Sequence, residues 1–135
     1  TTLFVGVEES ANLLRWVLLK LLLLLDNLRD AREAIYLRVH PCEKIIILRC
    51  RPDVLEQRLA PRGYSAEKIR ENAEAEALDV ILIETADAFS TEQIYEIDTT
   101  SIDSETAADM ILAFAEDKVP ASFGTIDWSE YVMSL

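Results

Sequence analysis

The side chains of this chain that could do chemistry are a single histidine, a few arginines and many carboxylates. A Ser-His-Asp triad would have to use His40, and the chain has no G-x-S-x-G motif to accompany it. Arg58 and Arg62 carry planar guanidinium groups, which suit phosphate oxygens, but arginines on a helix surface are common. Closely spaced carboxylates such as Glu74 and Glu76 have no histidine beside them. The residue types alone therefore give acid–base catalysis little support.

Two cysteines, Cys42 and Cys50, flank an apolar run that is typical of a strand buried on both faces. One pair in a chain of 135 residues is not a disulfide framework. A zinc site has no support either, because there is one histidine and no C-x-x-C motif. We therefore expect both cysteines to be reduced thiols in the core, and we expect no metal site.

The apolar patterns along the chain predict strands and helices within a single domain of residues 1–135. Strands are predicted at residues 3–7, 34–39, 44–50 and 93–97, and helices at 11–28, from 52 to about 59, at 66–86 and at 104–117. Ser65 and Ser104 are the expected N-caps of the last two helices, and Asp53 is expected as the cap or as a first-turn acid of the helix before them. This order favours an α/β layered domain with a mainly parallel sheet.

The most apolar stretch of the chain is Leu13–Leu25, which is 13 residues long and interrupted by Arg15 and Lys20. A membrane-spanning helix needs roughly 20 apolar residues, so this stretch is too short. The acidic Glu8 and Glu9 precede it, where a signal peptide would be basic. We expect a buried helix and a cytoplasmic protein without a membrane span. If one face of this helix were uncovered, it would make a homodimer contact.

Charge is distributed unevenly between the two parts of the chain. Residues 1–52 carry eight Lys or Arg against six Asp or Glu, whereas residues 53–135 carry five against nineteen, so the net charges are +2 and −14. An acidic surface repels the phosphates of DNA and RNA, which argues against direct nucleic-acid binding. It is compatible with a basic partner protein, although a solvated acidic face is the commoner meaning of such charge.

Several motifs occur in a fixed order in the second part of the chain. They are LRCRPD at 48–53, Arg58, the turn Arg62-Gly63-Tyr64, Lys68 and Asn72 in K-x-x-x-N spacing, YEIDTT at 95–100 and DWSEYV at 127–132. In this order they resemble the small archaeal and eukaryotic adenylate kinases, a family also linked to maturation of the small ribosomal subunit. The resemblance covers about residues 40–135, and no single motif would establish it.

The resemblance implies a three-layer P-loop-kinase-like fold in which ATP, with Mg²⁺, donates its γ-phosphoryl group to AMP. A segment at about residues 60–72 would form a short lid over ATP. The resemblance places Arg62 near the nucleotide phosphates, with Arg58 assisting, and matches His40 to a catalytic histidine. It also implies a basic ribosomal protein as a partner.

The phosphate loop of such an enzyme is missing from the sequence. Phosphoryl transfer of this type uses G-x-x-x-x-G-K-[ST] between the first strand and the first helix, where backbone N–H groups and the lysine hold the phosphates. Residues 6–11 read GVEESA, with one glycine and no lysine. Glu8 and Glu9 would repel a triphosphate at this place.

Residues 1–39 also depart from the family in other respects. Two positions before His40 stands Arg38, where the family has an aspartate that serves the metal. We therefore predict an adenylate-kinase-like protein whose phosphoryl transfer is impaired. The alternatives are a non-catalytic binding module, which would contact a basic ribosomal protein, and an engineered scaffold variant.

Overall fold

A computed structural model describes the backbone of residues 2–7, 33–39 and 42–133, and the side chains of residues 44–133. Several features of the sequence lie outside these residues: His40, the side chains of Arg38 and Cys42, Glu8 and Glu9, and the helix predicted at 11–28 with its dimer contact. No helix in the described part of the chain is long and apolar enough to cross a membrane.

The sheet has four described strands, in the spatial order β1-β2-β3-β4. They are β1 at Thr2–Val7, β2 at Glu33–Val39, β3 at Cys42–Arg49 and β4 at Ile94–Asp98. β1 and β2 are parallel, β2 and β3 are antiparallel, and β3 and β4 are parallel. The antiparallel pair follows from chain length, because Val39 pairs with Cys42 across only two residues and a parallel connection needs a dozen or more. The sheet is thus mainly parallel, as predicted.

Helices cover both faces of this sheet. They are α1 at Pro52–Leu59, α2 at Ala66–Ala77, α3 at Val80–Ala88, α4 at Ser104–Ala115 and the short α5 at Ser129–Val132. Ile46 and Leu48 of β3 pack with α1 and α4 on one face, while Ile45 and Ile47 pack with Leu82 of α3 on the other. Neighbouring strand residues point to opposite faces, so a continuous apolar run is what a doubly covered strand needs. The predicted α/β class with three layers is confirmed.

The helix predicted at 66–86 is wrong as one element, because it consists of α2 and α3. Asp79 separates them in the left-handed conformation, with φ 57° and ψ 33°. A short polar side chain tolerates this conformation better than most, and here the carboxylate of Asp79 accepts a hydrogen bond from Arg49. The apolar pattern continues across Asp79, so the pattern did not indicate a break between two helices.

The start of α4 also differs from the prediction. Its N-cap is Asp103, whose carboxylate accepts a hydrogen bond from the backbone N–H of Thr106 at 2.8 Å, and Ser104 is the first helical residue. Asp and Ser cap helices about equally well, so the sequence did not separate them. The prediction for Ser65 is confirmed, since its hydroxyl accepts from the N–H of Lys68 at 3.1 Å.

The bounds of all four strands differ from the predicted ones by one or two residues at one or both ends. β3 ends at Arg49 because the N–H of Cys50 donates to the side chain of Glu76 and not to a neighbouring strand. β4 begins at Ile94, since Gln93 closes a single 3₁₀ turn at Thr91–Gln93. Asp53 lies in the first turn of α1, directly after Pro52, as expected.

Candidate functional site

The carboxyl ends of β3 and β4 lie side by side and form the candidate site. Arg49 pairs with Asp98 at the end of the parallel ladder. Thr99 donates to the carbonyl of Arg49 with its N–H and its hydroxyl, each at 2.7 Å. The N–H of Arg51 donates to the hydroxyl of Thr100 at 2.9 Å. In open α/β sheets, ligands bind outside the carboxyl ends of the strands, so these two loops are where a ligand is expected.

Arg58 reaches from α1 to both of these loops. Its guanidinium donates to the carbonyl of Thr99 at 2.7 Å, to the Thr99 hydroxyl at 3.2 Å and to the carbonyl of Thr100 at 3.3 Å. It also lies 3.3 Å from the sulfur of Cys50. Arg58 therefore holds the loops after β3 and β4 together, and its role toward a nucleotide stays a prediction.

Arg62 lies in a different setting, in the turn that follows α1. It ends a 3₁₀ turn at Ala60–Arg62, and Gly63 follows with φ 78°, a left-handed conformation that glycine adopts without strain. The guanidinium of Arg62 stands 5.8 Å from the centre of the Tyr64 ring, and both side chains are exposed. The turn predicted at 62–64 is therefore present, with its arginine accessible from solvent, and a lid over ATP stays a prediction.

A buried ion cluster lies directly behind the site. Arg49 is 1% exposed and donates to Glu76 at 2.7 Å, to Glu96 at 2.6 Å and to Asp79. Burial opposes the charge on Arg49, but the three carboxylates outweigh this effect and raise its pKa. A buried arginine with such partners is a fixed cation that ties β3, β4 and the junction of α2 and α3 together.

Glu76 is the centre of this cluster. One of its oxygens accepts from Arg49, from the N–H of Cys50 at 3.1 Å and from the indole N–H of Trp128 at 3.1 Å. Burial raises the pKa of Glu76, and these donors oppose the rise only in part. Glu96 similarly accepts from the N–H of Gly124 at 2.6 Å. The C-terminal segment 120–133, which we call the tail, is therefore fastened to the cluster at two points.

This cluster was not predicted from the sequence, although a signal for it existed. Glu76 falls on the same helical face as Ala73 and Ala77, which are buried, so it is an acid on the inward face of α2. A carboxylate in that position needs a cation, and Arg49 at the end of an apolar strand is the natural candidate. A search for histidines beside carboxylates in the sequence could not find the pair of Glu76 and Arg49.

A second ion pair lies at the surface, in front of the site. Arg51 donates through Nε to a carboxylate oxygen of Asp53 at 2.6 Å. The same oxygen accepts from the hydroxyl of Tyr131 in the tail at 3.0 Å. The hydrogen bond from Arg51 lowers the pKa of Asp53, whereas loss of solvent and the nearby Asp53 raise the pKa of Tyr131. Neither Arg51 nor Tyr131 was selected from the sequence as a site residue.

Cys50 is expected to resist alkylation in the folded protein. The side chain is buried and its pKa is raised to about 11, chiefly by burial and against the opposing effect of Arg58. Since the thiolate is the reactive form, we expect iodoacetamide at pH 8 to label Cys50 at least tenfold more slowly than after unfolding in urea. Peptide mass spectrometry separates Cys50 from Cys42. Equal labelling rates in the two states would contradict the buried position.

No protein-family profile matches the chain. Archaeal proteins named "Putative adenylate kinase" do match it. The protein of Natronomonas pharaonis is 43% identical over 90 residues, which cover 67% of this chain and 54% of that protein. The protein of Pyrococcus abyssi is 41% identical over 90 residues, covering 67% and 49%. The protein of Methanocaldococcus jannaschii is 37% identical over 111 residues, covering 78% and 59%.

The predicted resemblance to archaeal adenylate kinases is confirmed over about 70% of this chain. The coverage agrees with a resemblance that was expected for part of the sequence only. The chain spans about half the length of the curated relatives it matches. It is therefore adenylate-kinase-like in sequence over that part of the chain, and α/β in fold.

Proposed function

We propose that this chain binds an adenine nucleotide, ATP or AMP, at the carboxyl ends of β3 and β4. The observation that carries the proposal is the exposed turn that contains Arg62 and Tyr64. It follows directly after α1, the helix whose Arg58 contacts the loops after β3 and β4. A planar guanidinium that is accessible from solvent can donate two parallel hydrogen bonds to a phosphate. The similarity to archaeal adenylate kinases supports a nucleotide as the ligand.

Phosphoryl transfer from ATP to AMP by these 135 residues is proposed to be impaired. Catalysis of this reaction depends almost entirely on positioning and on electrostatic stabilisation of the phosphates. The sequence at 6–11 has neither the glycines nor the lysine that supply these contacts. His40 is the residue proposed to match the family's catalytic histidine. Arg38 stands two positions before it, where the family has an aspartate.

Mg²⁺ would arrive on the phosphates of ATP. In the described part of the chain, no group of three or more His, Cys, Asp or Glu side chains could hold a metal ion. Mg²⁺ does not require such a cage, because it keeps several waters and is usually bound through substrate phosphates and one or two carboxylates. Binding of ATP is therefore expected to be stronger with Mg²⁺ than without it, given the acidic net charge of −12.

Calorimetric titration with ATP and ADP, with and without Mg²⁺, tests the proposal. We expect a dissociation constant between the micromolar and the millimolar range, and roughly tenfold weaker binding by Arg62→Ala, since a hydrogen bond to a charged group would be lost. The substitution leaves the rest of the lid turn intact, because Arg62 is exposed. A coupled kinase assay on the same samples measures residual transfer to AMP.

Lys118→Ala is the matched control, because it removes one positive charge after α4, near the end of the strands opposite the site. Asp117, its neighbour, pairs with Lys44 near the start of β3, at the end opposite the site. An equal loss of binding in both variants would point to a general charge effect. No binding by the unmodified chain at millimolar nucleotide would refute nucleotide binding.

A second candidate is a non-catalytic module that contacts a basic protein, such as a basic ribosomal protein, in the cytoplasm. The observation that favours it is the net charge of −14 on residues 53–135, because complementary charge steers encounter with a basic partner. A homodimer through the Leu-rich segment belongs to the same candidate. This candidate would remain if the titration found no nucleotide binding.

A further inference from the structure

The contacts that hold Arg51 form a closed path, which starts and ends at the carboxyl end of β3. The path runs through Arg49, Glu76, Trp128, Tyr131, Asp53 and Arg51. The contact between Arg49 and Glu76 is buried, and the contact between Asp53 and Arg51 is at the surface. The rings of Trp128 and Tyr131 meet edge to face, with centres 6.5 Å apart and planes at 80°. The tail thus links the buried guanidinium of Arg49 to the exposed guanidinium of Arg51.

Arg51 is fixed at two points and open at its tip. Its backbone N–H is bonded to Thr100, and its Nε is bonded to Asp53. Its side chain is 46% exposed, and among the residues that the structure describes its two terminal nitrogens have no hydrogen-bond partner. A guanidinium held by Nε directs its remaining donors into solvent with a defined orientation. Two donors in this arrangement match two oxygens of a phosphate.

A simple surface ion pair would explain the contact between Arg51 and Asp53 but not the contribution of the tail. Exposed pairs of near neighbours contribute little to stability. Here a hydroxyl from 78 residues away adds a hydrogen bond to the same oxygen of Asp53. Trp128 anchors that part of the tail to Glu76, which is 2% exposed. The arrangement fixes where Asp53 lies, and through Asp53 it fixes where the guanidinium of Arg51 lies.

We propose that Arg51 contacts the polyphosphate of a bound nucleoside di- or triphosphate, and that Tyr131 is a positioning residue that acts through Asp53. The proposal rests on the nucleotide binding proposed above and names a second arginine of the same site. Arg51 lies beside the loop after β4, since its N–H donates to Thr100. Phosphate is the chemical group that its two open donors fit, and the tail supplies the orientation.

Titrations followed by NMR with three ligands test this assignment: ATP, adenosine, and pyrophosphate alone. Arg51→Gln is expected to weaken binding of ATP and pyrophosphate roughly tenfold, because one charge-assisted contact is lost, and to leave adenosine binding unchanged. Tyr131→Phe keeps the ring and removes the hydroxyl, and a loss of about threefold is expected for the same two ligands. Lys118→Gln, which removes an equal charge near the end of the strands opposite the site, should change none of the three.

The outcomes separate this proposal from the nucleotide proposal. If the unmodified chain binds ATP and Arg51→Gln binds it equally well, Arg51 is only a surface ion pair and the assignment is wrong. If the variant loses adenosine as well, Arg51 acts on the fold and not on phosphate, which also overturns it. If the unmodified chain binds neither ATP nor adenosine, nucleotide binding itself fails. In that case, titration with pyrophosphate alone tests whether Arg51 contacts phosphate. If pyrophosphate does not bind either, the assignment of Arg51 is also wrong.

Discussion

Arg49→Met is expected to lower the free energy of unfolding by about 3–5 kcal/mol, because it leaves two buried carboxylates without their cation. The side chains of Glu76 and Glu96 are each 2% exposed, and Arg49 is hydrogen-bonded to both. Methionine fills much of the volume of arginine, so the loss reports on charge more than on a cavity. Urea unfolding at pH 7, followed by far-UV circular dichroism, measures the change.

The matched comparison adds Glu76→Gln and Glu96→Gln to Arg49→Met. Neutral amides no longer need a buried cation, so we expect this triple variant to recover part of the lost stability. If Arg49→Met alone does not fold, the triple variant still tests the account through its own unfolding curve. A loss below about 1 kcal/mol for the single variant would mean that water reaches these carboxylates and that the cluster is not buried in solution.

Arg58→Ala is expected to lower the free energy of unfolding by about 2–3 kcal/mol, whereas Arg62→Ala should change it by less than about 0.5 kcal/mol. Arg58 donates to the carbonyls of Thr99 and Thr100, and its loss leaves the buried Thr99 without these donors. Arg62 is exposed, and its guanidinium stands 5.8 Å from the centre of the Tyr64 ring. Thermal and urea unfolding of both variants measure the contrast.

Arg58→Lys is the control for charge. A single ammonium group cannot make the forked contacts of a guanidinium, so we expect lysine to recover less than half of the loss. Full recovery would mean that charge alone matters at this position. Equal losses for Arg58→Ala and Arg62→Ala would contradict the different positions of the two side chains.

The fold class could be predicted because the dominant patterns are local. The continuous apolar run of β3, the Pro52 start of α1 and the serine cap at Ser65 depend on a few neighbouring residues each. The break at Asp79 could not be predicted in this way. It depends on a hydrogen bond from Arg49, which is 30 residues away in sequence, and on the different surfaces that α2 and α3 cover.

For the candidate site, the turn at Arg62 was predicted from the sequence. The hydrogen bonds from the tail that hold the site were not predicted. The turn at Arg62 is a local motif with glycine at a left-handed position, so it could be recognised. The bond from Trp128 to Glu76 joins residues 52 apart, and the bond from Tyr131 to Asp53 joins residues 78 apart. Helix and strand periodicity contains no information about such pairs, which depend on where the tail returns.

The tail also covers the outer edge of β4. Ser122 donates its N–H to the carbonyl of Ile94 at 3.1 Å and accepts from the N–H of Glu96 at 2.9 Å. An uncovered edge strand offers unpaired backbone groups to the strand of another molecule, and this kind of pairing starts aggregation. Gly124 and Trp128 fasten the same tail to the buried cluster, so release of both anchors would weaken the cover over this edge. Disruption of the buried cluster is therefore expected to lower solubility as well as stability.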